Sequence, residues 1–477
     1  MKLFTREELL PLARSHPEAL VDIILALQER LAQLEQRVKE LEAQLARNSS
    51  NSNEPPSSDG LSKPSPKSLR TPSGRKPGGQ PGHPGQTLQQ VKNPDQVQIH
   101  RLKVCPQCQG RGLEKEPVLD YASRQVFDLP ERPLVVSEHR AEIKGCPHCG
   151  QAVCADFPAG VSAPAQYGPR FQSLMVYLNQ QQLLPYGRLA QLCEDLFGQP
   201  LSVATLAVAN ERAFNQLESF AQALASQVPL AEVVHLDESG LRVAGALHWL
   251  HVASTATLTS YGVHPKRGTE AMDALGIVGA CRQWVVHDHW KPYFSYQQCQ
   301  HALCNEHLLR ELKFLWEEQG QVWARQMSDL LLELHRRRQK HGEFNERQFK
   351  RALSRYRNVV RRGRYRHPRL ASGKGRCAQS KTANLLDRLE DFDWSILAFL
   401  WDGRVPFTNN QAEQDIRMIK VRQKISGCFR TLKAAHIFCR IRSYLSTSRK
   451  QGRNVWEAIQ MAVIGKPFFP SAPPAGP

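Results

Sequence analysis

Two Cys-x-x-Cys pairs constrain this chain more than any other feature. Cys105-Pro-Gln-Cys108 and Cys146-Pro-His-Cys149 each form a tight knuckle that can set two thiolates on one tetrahedral ion, and two knuckles close a structural zinc site. Cys146 follows Cys108 by 38 positions, and both pairs carry proline after the first cysteine. Twelve cysteines are few for 477 residues, so the pairs read as a metal site in a reducing compartment rather than as a disulfide scaffold. Unpaired buried thiols are the alternative, and His100, His139, His148 and Cys154 are spare ligands if one cysteine is unused.

Upstream of the knuckles, Leu20, Ile24, Leu27, Leu31, Leu34, Val38, Leu41 and Leu45 are spaced alternately by four and three. A mean of about 3.5 residues is the period of a coiled-coil seam, and β-branched residues facing leucine favour a parallel dimer. A helix packed on its own domain is the plainer alternative. From residue 48 to about 90 the composition collapses to Ser, Pro, Gly, Asn and Lys, with almost nothing to bury, which makes a flexible linker. Within it, Arg75 and Lys76 have the setting of a basic arm laid in a minor groove, or simply of solvated charge.

After the knuckles, residues 167–225 read as helical. Leu189 to Phe197, Gly198 and then Ser202-Val203-Ala204-Thr205 fit a helix, a glycine turn and a serine-capped helix. That is the order of a helix-turn-helix, and equally of a plain helical hairpin. Short β runs follow. Glu232 to Leu236 leads into Asp237, Leu247 to Ala253 is another strand, Gly268 to Leu275 a short helix, and Gln283 to His287 a strand ending in Asp288. Two aspartates at the ends of neighbouring strands of one mixed sheet repel, and persist as anions when divalent cations bridge them. Turn aspartates at strand ends are the competing explanation.

A third acid lies in Thr408 to Arg417, which opens a helix with Asn409 or Asn410 as its cap. Glu413, Arg417, Lys420 and Lys424 share one stripe of that helix, at about 0°, 40°, −20° and 20°. One acid with three cations suits a metal beside a phosphate backbone, and an ordinary exposed helix fits as well. The chain carries 63 Lys/Arg against 45 Asp/Glu, a net +18, which favours a polyanionic partner. Residues 336–381 hold 17 of these cations against Glu343 and Glu346. So one-sided a segment, including Arg361, Arg362, Arg364 and Arg366, reads as a DNA-phosphate surface. No run approaches the ~18 apolar residues of a membrane span. The start, Met1 to Glu8, lacks the apolar core of a signal peptide, so a cytoplasmic, nucleoid-associated protein with no membrane partner is expected.

Taken together these residues resemble the bacterial insertion-sequence transposases of the IS sixty-six type, which have a DDE catalytic core. The resemblance rests on the leucine zipper, the Asn-Ser-Ser-Asn-Ser linker with Pro55 to Gly60, the Gly74 to Gly85 stretch and the cysteine pairs. It continues through His235-Leu236-Asp237-Glu238-Ser239-Gly240, His287-Asp288, Trp290-Lys291-Pro292-Tyr293 and Asn409-Asn410-Gln411-Ala412-Glu413. Cys304-Asn305-Glu306-His307 resembles the Cys-x-x-His element that several DDE families carry after the second aspartate. The chain departs from the family pattern at His289, Glu306 and Gln414, where glycine, alanine and arginine are usual.

The resemblance implies a multidomain α+β protein. Its parts are a coiled coil (1–47), a flexible basic linker (48–95), a zinc-finger module (96–160) and a helical DNA-binding region (161–230). An RNase H-like α/β catalytic core (231–430) with a basic helical insertion at about 308–385, and a C-terminal helical segment and disordered tail (431–477), complete it. The implied catalytic triad is Asp237, Asp288 and Glu413, with Asp237 shared between two Mg²⁺ and each other acid completing one; Mn²⁺ is the natural substitute. The implied reaction is phosphoryl transfer, cutting insertion-sequence terminal repeats and joining them to target DNA. The implied partners are that DNA, a second copy through the coiled coil, and small accessory transposition proteins of the same element. The rival readings are a non-enzymatic zinc-containing DNA binder, an RNase H-like nuclease without strand transfer, and a His/Asp metallohydrolase. The last draws on His235, His248, His251, His264, His287, His289, His301 and His307.

Overall fold

The computed structural model describes residues 6–45, 88–130, 133–149, 151–369 and 379–471. The chain divides into two compact units. One holds the N-terminal helices and the residues from 163 onward except 193–199; the other holds the cysteine knuckles together with 193–199.

In the knuckle unit the two Cys-x-x-Cys pairs are built alike. Cys105 N–H donates to Gly110 O at 2.9 Å and Cys146 N–H to Gln151 O at 2.8 Å, so each knuckle is a six-residue turn. A Val104–Arg111 bridge flanks the first, and the antiparallel pair β1 (Ile143–Gly145) and β2 (Ala152–Cys154) flanks the second.

The larger unit begins with α1 (Arg6–Ser15) and α2 (Pro17–Leu45), which pack on each other. The heptad leucines of α2 from Leu27 onward are exposed: Leu31 is 58 % and Leu34 52 % accessible. Next come α3 (Pro169–Val176), α4 (Tyr186–Phe197), α5 (Val203–Gln216) and α6 (Glu218–Gln227). Gly198 takes the left-handed conformation, φ 64°, after α4, and Ser202 Oγ accepts from Thr205 N–H at the start of α5. The expected turn and cap are both present. The helical run is broken at residues 182–185, ahead of Pro185, which cannot donate to the helical ladder.

A five-stranded sheet follows, made of β3 (Val233–Val243), β4 (Ala246–Ser254), β5 (Thr259–His264), β6 (Trp284–His287) and β7 (Gln300–Leu303), in the order β5-β4-β3-β6-β7. The first three form an antiparallel meander, while β6 and β7 run parallel to β3. Ala244 and Gly245, φ 49° and 81°, make the two-residue hairpin between β3 and β4, whose twist suits left-handed residues. The crossover from β5 to β6 carries α7 (Thr269–Leu275).

Five helices lie between β7 and the last acid: α8 (Asn305–Glu317), α9 (Val322–His341), α10 (Glu346–Arg366), α11 (Lys381–Asp391) and α12 (Asp393–Trp401). A reciprocal Asn345–Gln348 capping box starts α10, and Ser380 caps α11. The five share one core with Val286, Ala302 and Leu303 of the sheet. The segment expected as an insertion, at about 308–385, covers α9 and α10 with parts of α8 and α11, and α12 shares their core. Farther along the sheet, Leu241, Val243, Leu250, Val252 and Val263 pack against α13 (Asn410–Ser426) and α14 (Leu432–Lys450), and α15 (Val455–Val463) follows. Among the described residues no helix is long and apolar enough to cross a membrane.

Candidate active site

Strand alternation sets Asp237, Ser239, Leu241 and Val243 on one face of β3. Leu241 and Val243 pack there against Ala412, Ile416 and Ile419 of α13, so Asp237 opens toward α13 as well. In the parallel pairing His235 stands beside Val286, and continuing the register by two residues sets Asp237 beside Asp288, just past the end of β6. Neighbouring strands are only about 4.8 Å apart. Glu413 arrives on the same face from the first turn of α13.

The sequence places Asp237 at a strand end; the structure places it inside β3. Antiparallel pairing with β4 continues from Asp237 to the hairpin, while β6 stops short. Asp237 thus marks the point where the sheet loses its parallel neighbour, and that is where the acids meet.

Asn409 fixes the approach of α13. Its Nδ2 donates to Leu236 O at 2.7 Å and its Oδ1 accepts from His235 Nδ1 at 2.9 Å. Its own N–H donates to Cys304 Sγ at 3.1 Å. It occupies the expected N-cap position, yet its side chain is spent on β3 rather than on the helix.

Burial pushes the Asp237 carboxyl well above its ordinary range, and the charges of Glu238, Asp288 and Glu413 push the same way. Glu238 points to the opposite face, where its side chain is only 2 % exposed. Arg267 donates to its Oε1 from Nε at 2.9 Å and Nη2 at 2.6 Å, and the Tyr293 hydroxyl bonds its Oε2. The Arg267 guanidinium lies 4.8 Å from the Trp249 ring centre and 4.2 Å from that of Trp290. This clamp on the residue next to Asp237 was not legible as a role, because its members are 29 and 55 positions from Glu238.

Cys304 and His307 come into the site. Cys304 Sγ lies 3.8 Å and His307 Nδ1 3.9 Å from Glu413 Oε1. Burial, with the Glu413 charge, pushes the Cys304 thiol up to about 12. A cavity of about 200 Å³ opens beside them, walled by Asp288, His289, Trp290, Cys304, His307 and Arg388.

Two of the other histidines are engaged elsewhere. His287 is buried, with Nε2 2.9 Å from His301 Nδ1, and burial pushes its imidazole down to about 3. His235 is held by Asn409, and among the described residues neither joins a group able to hold a metal.

Of the expected DNA contacts, Arg361, Arg362 and Arg366 are exposed on α10, as are Arg417 and Lys424 on α13, while Lys420 is half-buried. Arg364 differs from expectation: it turns inward to Asp387 and Glu390, because its stripe of α10 faces α11. Arg75 and Lys76 lie outside the described residues. Within each knuckle the partner cysteine and backbone N–H groups hold the thiols of Cys105 and Cys146 below their ordinary pKa, which suits ligation. The structure forms both knuckles but does not gather three of their sulfurs into one cluster.

Residues 164–437, more than half of the chain, match the family described as Transposase IS66 family. Residues 103–150, which hold all four knuckle cysteines, match the zinc-finger binding domain of transposase IS66. Residues 8–89 match a family of unknown function, DUF6444. No curated protein matches the chain.

Proposed function

The chain belongs to the IS66 transposase family, and from that premise we propose that it cuts DNA at insertion-sequence ends and joins the ends to target DNA, using divalent cations held by Asp237, Asp288 and Glu413. The observation that carries this is the convergence of the three acids on one face of the sheet, two by strand register and one from the first turn of α13. An antiparallel meander followed by two parallel strands, in the order β5-β4-β3-β6-β7, is also the arrangement of an RNase H-like core.

The donor set fits a hard cation. Three carboxylates offer only oxygen, which Mg²⁺ prefers and Mn²⁺ accepts. Crowded anions that raise each other's proton affinity, as at Asp237, are relieved by a cation among them. Bound there, such cations supply Lewis-acid stabilisation of the attacking and leaving oxygens of an in-line displacement. The chain's own part is to hold the carboxylates still. Asn409 ties α13 to β3, and Arg267 and Tyr293 hold Glu238, which keeps β3 in place at Asp237.

Arg361, Arg362, Arg366, Arg417 and Lys424 then serve as phosphate contacts, with Lys420 closer to the acids, and Arg75 and Lys76 add a basic arm. Cys105, Cys108, Cys146 and Cys149 hold structural zinc. The exposed seam of α2 pairs with a second copy, so that two element ends are handled together.

The test is cleavage and joining of labelled terminal DNA in Mg²⁺ by the wild type and by Asp237→Asn, Asp288→Asn and Glu413→Gln. Cutting and joining by the wild type alone, with DNA binding kept by all four, supports the reading. Cutting without joining reduces it to a nuclease, and variants as active as wild type remove it.

A further inference from the structure

We propose that Cys304, His307 and Glu413 form a second kind of metal site, one for a thiophilic divalent cation of the zinc class. By occupying Glu413, that cation competes with the oxygen-ligated cations of the catalytic acids. The binding site stands on its own residues; the competition rests on the function proposed above.

The three ligand atoms come from two elements and all lie within 4.8 Å of one another. Cys304 and His307 are three apart at the start of α8, a spacing that puts both on one side of a helix. Glu413 comes from α13, whose first residues are tied to the same sulfur by the Asn409 N–H at 3.1 Å. The two elements therefore cannot shift apart without breaking that bond.

The separations suit zinc. Bond lengths of about 2.0–2.3 Å in a tetrahedron place ligand atoms about 3.4–3.6 Å apart. Glu413 Oε1 is 3.8 Å from the Cys304 sulfur and 3.9 Å from His307 Nδ1, a few tenths of an ångström more. His307 Nδ1 is shielded from solvent and has no hydrogen-bond partner, although it faces the carboxylate. A buried polar atom left in that state is costly unless something else satisfies it, and a metal ion does so. The cavity of about 200 Å³ walled by Cys304 and His307 gives an ion a way in and leaves room for a water or phosphate oxygen as fourth ligand.

Ligand chemistry separates this set from the catalytic one. A sulfur, an imidazole nitrogen and one carboxylate select Zn²⁺ over Mg²⁺, whereas three carboxylates do not. On binding, Cys304 releases its thiol proton to solvent and the sulfur takes the ion. Glu413 belongs to both sets and cannot serve both in full, so a zinc-class ion withdraws it from the catalytic acids.

The experiment uses the full-length protein with its zinc-finger site already loaded with zinc. Co²⁺ is titrated in, and the near-ultraviolet sulfur-to-cobalt absorption is followed for wild type, Cys304→Ser and His307→Gln. The wild type is expected to gain one further cobalt site with this absorption. Cys304→Ser should lose the absorption, and His307→Gln should bind about tenfold more weakly or worse. His307→Gln guards against a folding defect, because His307 is partly exposed at the cavity wall. Equal absorption and affinity in all three proteins overturns the site. In a parallel assay Zn²⁺ is added to Mg²⁺-supported cleavage, and the zinc concentration that halves the rate should rise about tenfold in His307→Gln. A cobalt signal with zinc-insensitive cleavage overturns the competition. Failure of the wild type to cleave at all would count against the proposed function, while the cobalt readout would still decide the site.

Discussion

The ion pair Asp415–Lys450 should be worth several kcal/mol, and its loss should reach the active site. Asp415 sits two residues beyond Glu413 in α13, and Lys450 is the last residue of α14. Lys450 Nζ donates to Asp415 Oδ2 at 2.7 Å, Ser254 Oγ at 2.8 Å, Thr255 O at 2.8 Å and Leu258 O at 3.1 Å. Thr259 Oγ1 and Gln411 Nε2 also donate to Asp415 Oδ2, at 3.1 and 3.4 Å. The two side chains are 12 % and 14 % exposed, so solvent screens them little. Lys450→Met removes the ion-pair partner of the buried Asp415 and leaves only the weaker field of the buried Arg442 to offset its charge. Breaking such a pair from one side costs about 3–5 kcal/mol. For a large domain each kcal/mol moves Tm by about 2–4 °C, so a fall of about 6–20 °C is expected. The double substitution Asp415→Leu with Lys450→Met should recover much of that loss, because an apolar pair removes the stranded charge. Loss of the clamp also frees the first turns of α13, and a displacement near 1 Å at Glu413 costs about a hundredfold in rate. Thermal unfolding and single-turnover cleavage at a temperature where all variants are folded measure the two effects. A Lys450→Met variant within about 1 kcal/mol of wild type would refute the reasoning. So would a double variant no more stable than the single one.

Three further outcomes follow from particular residues. Folded Asp237 has a proton affinity raised above its ordinary value of 3.8, so the folded state holds more protons than the unfolded one above that pH. Stability of the Mg²⁺-free protein should therefore fall as pH rises from about 4, and Asp237→Asn should flatten that slope and be the more stable protein at neutral pH; urea unfolding at pH 5 and pH 7.5 checks it. At Gly363 an added Cβ would lie 2.7 Å from Leu386 Cδ2 and 2.9 Å from Trp323, so Gly363→Ala should cost about 1–3 kcal/mol in the same assay. Cys105→Ser should lower the zinc content by about one ion per chain and weaken binding of terminal DNA, while the thermal transition of the larger unit stays in place; metal analysis, a binding titration and calorimetry read the three effects.

What the sequence disclosed was whatever local spacing encodes. The heptad in α2, the matched knuckles, the glycine turn before Ser202 and the apolar runs leading to Asp237 and Asp288 are all features of a few adjacent residues. Strand boundaries failed where tertiary pairing set them. β3 continues through the polar Asp237-Glu238-Ser239 because β4 pairs with it, and β7 is only four residues, two of them polar, with no periodicity to announce it. Side-chain partnerships across long stretches were silent for the same reason. Nothing near Arg267 marks it as the partner of Glu238, and Lys450 reaches Ser254 across 196 positions. Arg364 shows the converse: counted among the surface cations by composition, it is neutralised by acids on α11.

Anomalous diffraction from crystals of the protein with terminal DNA and Mn²⁺ locates the bound cations. Manganese is expected between Asp237, Asp288 and Glu413 beside the scissile phosphate, and is expected to be lost in Asp237→Asn. Manganese bound elsewhere at a cleaved phosphate, with those three carboxylates empty, would contradict that placement.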